Sequence, residues 1–116
     1  MLSQQFLLQD NVANNAGGMG IEMGGDFTLD HVVFEGNQGS LGGGLSATNA
    51  QLSLNHVVFH ENTIGGGFFS NISEAHLNHV VFNGNTHSNL ALSGAGITAA
   101  SSEMHIQNAV FNENMS

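Results

Sequence analysis

The chain has 116 residues, nine carboxylates, seven His and no Lys, Arg, Pro, Cys, Trp or Tyr. That length holds at most one domain, able to bury about two-thirds of its unfolded surface. Without cations it cannot neutralise the phosphates of nucleic acid, and it has no charge attraction to an anionic membrane surface.

Other classes fall away for related reasons. No apolar run approaches the roughly 20 residues of a membrane span, so membrane insertion by this segment is not expected. The lack of Cys removes disulfides and thiolate metal sites. An apolar fraction of 41% beside a charged fraction of 8% is unlike the composition of disordered chains. No charged-plus-apolar leader opens the sequence, so no signal peptide is expected.

Taken in order, the chain repeats itself. A weak copy of a unit runs from Gln4 to Asn11, with Leu8 where later copies have Phe. Fuller copies run from Leu29 to Asn37, Leu52 to Asn62, Leu77 to Asn85 and Ile106 to Asn114. In these four an apolar residue stands five places before a Phe, which is followed by two variable residues and Asn. The Asn residues are 26, 25, 23 and 29 places apart. A second motif lies between successive copies: Gly18-Met19-Gly20-Ile21, Gly42-Gly43-Gly44-Leu45, Gly65-Gly66-Gly67-Phe68 and Gly94-Ala95-Gly96-Ile97.

Periods of 20 to 50 residues indicate a solenoid, a propeller or another repeat array. Within a unit the apolar residues alternate as on half-buried strands. Leu52 and Leu54 share one face, Asn55-His56 reads as a corner, Val57 and Phe59 form a second strand, and Phe68 begins a third. Three short strands in about 25 residues leave no room for a helix. The leucine-rich repeat pattern is absent, and a propeller blade needs about 40 residues. The expectation is therefore an all-β, right-handed parallel β-helix of four to five coils, each of 23–29 residues with three short strands. Residues 1–116 form a single segment that starts and stops inside coils, the pattern of a piece of a longer solenoid or of an assembling subunit.

Equivalent residues of such coils stack about 4.8 Å apart. Phe34, Phe59, Phe82 and Phe111 are predicted to form an inner column backed by Leu29, Leu54, Leu77 and Ile106. Ile21, Leu45, Phe68 and Ile97 are predicted to line the third wall. Asn37, Asn62, Asn85 and Asn114 are read as a structural amide ladder, with Asn also supplying the left-handed backbone of the bend.

Candidate contacts lie outside this frame. The loops between each Asn and the next Gly motif hold six, four, two and eight residues, so variation falls on one edge of the solenoid. Insertions on one face often mark a binding face. The longest loop, Thr86 to Ser93, is the candidate contact loop, with Thr86, His87, Ser88 and Asn89 as contact residues. The paired glycines of each motif are expected to point outward as a flat stripe, with Phe69 beside it as an exposed aromatic for a sugar face.

The same repeat pattern bears on chemistry. His31, His56 and His79 share the corner position and should stack. Asn108 replaces the fourth, and a corner residue bonded to backbone explains the column without a metal, so none is assigned. Glycoside hydrolysis needs two carboxylates about 5–9.5 Å apart, and none of the nine recurs as a close pair on one strand face. No catalytic residue and no cofactor is therefore assigned.

The pairing of Phe-x-x-Asn with a following Gly-Gly-x-apolar tetrad resembles the repeats of chlamydial polymorphic membrane proteins and other bacterial surface β-helices. The matches are Phe34 to Asn37, Phe59 to Asn62, Phe82 to Asn85 and Phe111 to Asn114, covering almost the whole chain. The third tetrad position, usually Ala in that family, is Gly here in every copy. The resemblance implies a cell-surface or extracellular passenger segment of an autotransporter, with adhesin-like binding to a protein or glycan on another surface. Two alternatives stand beside it: self-assembly of copies into filaments by end-to-end coil stacking, and a polysaccharide-binding or polysaccharide-cleaving β-helix.

Overall fold

A computed structural model of the chain describes residues 6–22, 24–88 and 94–115, and every regular element in them is a β-strand. The first coil supplies β1 (Phe6–Gln9) and β2 (Met19–Glu22). The second supplies β3 (Asp26–Asp30), β4 (Val32–Glu35), β5 (Gln38–Gly39) and β6 (Leu45–Thr48). The third supplies β7 (Gln51–His60), β8 (Thr63–Ile64) and β9 (Phe68–Asn71). β10 (Glu74–Asn83), β11 (Ile97–Ala100) and β12 (Glu103–Asn112) complete the stack.

All ladders between these strands are parallel, and each strand pairs with its equivalent one coil away. The long sheet runs β1-β4-β7-β10-β12, with β3 also on β7. A second sheet runs β11-β9-β6-β2, and β5 pairs with β8 along a third edge. The chain is thus a parallel β-helix of about four turns.

Sequence spacing accounts for the bends. Leu52, Leu54, Val57 and Phe59 are all buried, whereas Asn55 and His56 between them are not. Two residues where alternation allows one would turn the rest of the strand inside out. The backbone absorbs the extra residue by entering the left-handed region at His56, φ +55°. His31, His79 and Asn108 do the same at +58°, +57° and +52°. The two short strands expected on either side of the corner are therefore halves of one bent ten-residue strand in β7, β10 and β12.

The inner column stacks as expected. Phe34–Phe59, Phe59–Phe82 and Phe82–Phe111 ring centroids lie 5.0, 4.7 and 4.9 Å apart, with ring planes within 5°. Phe34, Phe59 and Phe82 are fully buried; Phe111, in the last described coil, is half exposed.

The Asn ladder is real, but its backbone role differs from the expectation. Left-handed φ falls on the preceding residue, at Gly36, Glu61, Gly84 and Glu113. That frees each Asn side chain to turn inward, where Asn37, Asn62 and Asn85 have no exposed surface. Each backbone N–H and Nδ2 donates to the Oδ1 of the next Asn: Asn37 to Asn62 at 3.0 and 3.1 Å, Asn62 to Asn85 at 3.0 and 2.9 Å. The second Nδ2 hydrogen reaches a carbonyl one coil back, from Asn62 to Phe34 at 3.0 Å and from Asn85 to Phe59 at 2.9 Å. Both amide hydrogens are used and Oδ1 accepts twice, so a fully buried polar row carries no unmet group.

The outward glycine stripe is overturned. Gly44 faces the column: a Cβ there would stand 2.9 Å from Phe59 Cδ1, 2.8 Å from Gly67 O and 3.2 Å from Asn62 Nδ2. Gly18, Gly67 and Gly96 meet Phe34, Phe82 and Phe111 in the same way. Gly is required at the tetrad's third position because the ring edge of the Phe occupies the space a methyl group would fill.

The first tetrad is also shifted. Met19 pairs with Leu45, and Ala16 bridges Gly42, so Ala16-Gly17-Gly18-Met19 is the structural equivalent. Met19, not Ile21, heads the third-wall row of Leu45, Phe68 and Ile97. Ile21 pairs with Ala47 two places on and is still buried, since a shift of two preserves the face.

Candidate functional site

Three surfaces carry features beyond the fold: the loop edge, an outer corner with an acidic and imidazole array, and the two end faces.

At the loop edge the sequence-predicted contact residues divide. Thr86 belongs to the solenoid, its N–H donating to Asn62 O at 2.9 Å while the residue bridges Met115. His87, expected as a contact residue, is instead 7% exposed and bridges Gly65, so it serves packing. Ser88 is exposed and donates its N–H to Ile64 O at 2.8 Å. Asn89, with residues 90–93, lies outside the described residues. Phe69 is corrected outright: it is 6% exposed, between Ser46 and Thr98 on neighbouring strands, and has no face to offer a sugar. Alternation puts Phe68 in the core and Phe69 on the other side of the wall, but that side is covered.

The bend after the third wall opens as a shallow groove of about 720 Å³ along the axis. Its floor is pinned by serines: Ala50 N–H donates to Ser73 Oγ and Ser73 N–H to Ser102 Oγ, both at 3.1 Å. Its lip carries one row of acidic and amide side chains, Asp26, Gln51, Glu74 and Glu103, in register on successive coils.

Two residues further along the same strands lie Thr28, Ser53, His76 and His105, also in register. Period-two geometry puts both rows on the outer face. In the last two coils the rows make a four-residue array. Glu74 Oε2 is 3.3 Å from His76 Nε2 and 3.5 Å from His105 Nε2, and Glu103 Oε1 is 2.8 Å from His105 Nε2. The two imidazoles stack at 4.4 Å. The signal for this array is in the sequence as Glu-x-His ahead of Leu77 and again ahead of Ile106. It escapes notice because it occurs in only two of the coils.

The corner column is present too. His31, His56 and His79 stack at 4.8 Å steps, and Asp30 Oδ1 lies 2.9 Å from His31 Nδ1 and 3.8 Å from His56 Nδ1. Asn108 continues the row by donating to Asn78 Oδ1 at 3.1 Å.

The first and last described coils expose apolar side chains, and the Asn ladder ends there in opposite hydrogen-bonding sense. The first coil exposes Phe6 and Leu7, the last Ile106 and Phe111. Asn11 donates its N–H and Nδ2 to Asn37 Oδ1, both at 3.0 Å, while its own Oδ1 receives no donor among the described residues. At the other end Asn114 Oδ1 accepts from Asn85, and one Nδ2 hydrogen reaches Phe82 O at 2.9 Å. Its backbone N–H and second Nδ2 hydrogen have no acceptor among the described residues.

No protein-family model matches this chain, and no curated protein matches it in sequence.

Proposed function

We propose that this chain is a non-catalytic structural module, a β-solenoid rod that extends by accepting further coils of its own register on its end faces. For the 116-residue chain by itself the incoming coil is that of a second copy. The observation that carries the reading is the polarity of the Asn ladder: acceptor Oδ1 outward at Asn11, two donors outward at Asn114. A head-to-tail stack brings these together, sets Phe111 over Leu8, and covers the apolar faces at both ends. It also pairs the strand edges of β1 and β12, which carry no Lys or Pro to block such pairing. The repeat's resemblance to bacterial surface β-helices supports an extracellular or cell-surface setting for such a rod.

Sedimentation of the purified chain tests it. The reading predicts species that lengthen with concentration and with salt, because screening relieves the repulsion of a net charge of −9. Ile106→Lys, which sets a charge on the last face, is expected to hold the protein monomeric. A wild-type chain that stays monomeric at high concentration and high salt would refute the reading.

The adhesin-like reading keeps one observation in its favour. Val12, Gln38 and Thr63 align on successive coils, and Thr86 N–H reaches Asn62 O, so the variable segments do emerge along one edge. Under it, partner binding is lost on deleting residues 89–93, with circular dichroism and melting unchanged. Thr86 and His87 must be kept in that test, since they belong to the ladder.

A further inference from the structure

We infer that Glu74, His76 and His105, with Glu103 beside His105, form a binding site for a divalent ion of the zinc type, clamping the last two coils together. Two imidazoles and carboxylate oxygens are the donor set that suits Zn²⁺, and also Ni²⁺ or Cu²⁺, rather than Mg²⁺ or Ca²⁺, which take oxygen almost alone.

Geometry supports it. Ligands of a tetrahedral ion at about 2.0–2.1 Å stand roughly 3.3–3.4 Å from one another. Glu74 Oε2 lies 3.3 and 3.5 Å from the two Nε2 atoms, close to that edge length before any ion draws them in. The ligand atoms of Glu74, His76 and His105 all lie within 4.8 Å of one another, and Glu103 Oε1 stands beside this group, 2.8 Å from His105 Nε2. Glu74 and His76 come from β10 and His105 from β12, at matched places in a continuous parallel ladder, so the rigid sheet holds them in register. The corner cluster of Asp30, His31 and His56 is a weaker candidate. It too gives three mutually close donors, but with separations of 2.9 and 3.8 Å that straddle the tetrahedral edge.

The molecule holds its own control. The same two rows carry Asp26 with Thr28 in the second coil and Gln51 with Ser53 in the third, without imidazole. The site is therefore confined to the last two coils, and Ser is already accepted at its His positions.

Calorimetric titration of the purified chain with Zn²⁺ is the test, with Co²⁺ absorption reporting the coordination geometry. The expected result is saturable binding, a tetrahedral-type cobalt spectrum and a melting temperature that rises with Zn²⁺ and falls back with EDTA. His76→Ser and His105→Ser are each expected to weaken binding by about 10–100-fold or more, given that even outer partners of a metal site count for that much. His31→Ser is expected to leave binding unchanged. Glu74→Gln keeps side-chain shape and replaces a serine variant that fails to fold. Absence of saturable Zn²⁺ binding overturns the proposal. So does binding that survives His76→Ser and His105→Ser, or that is lost with His31 instead.

Discussion

Two columns of rings run along this solenoid, one inside and one out. The inner Phe rings and the outer His rings of the corner stack at nearly the same steps, 4.7–5.0 Å and 4.8 Å, with planes close to parallel in both. The common spacing comes from the backbone ladder, which brings any repeated side chain to its copy one coil away. What differs is the surroundings. Phe59 has no exposed surface, is edged by Gly44 and flanked by the Asn ladder, whereas the His56 side chain is half exposed. Stacking geometry alone is thus no measure of stability; burial and closed hydrogen bonding are.

Four substitutions sharpen or break that contrast. Asn62→Leu is expected to have the largest effect. It strands the N–H and one Nδ2–H of Asn37 and takes one donor each from the Oδ1 of Asn85 and the carbonyl of Phe34, all buried. At about 1–3 kcal/mol for each unmet group, a loss of about 4 kcal/mol or more is predicted, seen as an unfolded or barely folded chain in denaturant titration. Gly44→Ala comes next. The added methyl group meets a ring and a carbonyl that cannot both retreat, so a loss of about 1–3 kcal/mol is predicted from the shift in urea midpoint.

The third substitution has the opposite sign. Ile72 is β-branched, 58% exposed and held at φ +51°, where the preceding coil has Asn49 at +55°. Left-handed backbone costs an L-residue about 1–2 kcal/mol and Asn less, so Ile72→Asn is predicted to stabilise by about 1 kcal/mol. A lower melting temperature for that variant would show the side chain to be anchoring something. Smallest is His56→Asn, which keeps a corner-tolerant residue, as Asn108 does in the last coil, and removes the ring from the outer stack. A change within about 0.5 kcal/mol is predicted. A loss comparable to that of Gly44→Ala would mean that the outer column holds the coils together after all.

Much of the inner column was legible in the sequence, because an apolar residue five places before Phe, the extra corner residue, Val-x-Phe and Asn recur with few errors. Their period fixes both the coil and the side that faces in. The glycines were not legible in that way. Gly18 and Gly20 both offer a Gly motif in the first coil, and a slip of two keeps the same face, so periodicity cannot choose between them. Nor does the local sequence show that Gly44 faces the core, since what fills its space is a Phe one motif later in the chain. Phe69 was misread for a related reason: alternation tells which side of a wall it occupies, not whether that side is covered. The Glu74, His76, Glu103 and His105 array was visible only as a two-copy echo, faint beside a motif present in every coil.

The account depends above all on the buried amide ladder, and side-chain hydrogen exchange followed by NMR reads it directly. The Nδ2 protons of Asn37, Asn62 and Asn85 are predicted to exchange only on unfolding, far more slowly than those of Asn14 and Asn15 on the exposed loop edge. Rapid exchange at Asn62, on the scale of the exposed amides, would contradict the ladder and the coil register built on it.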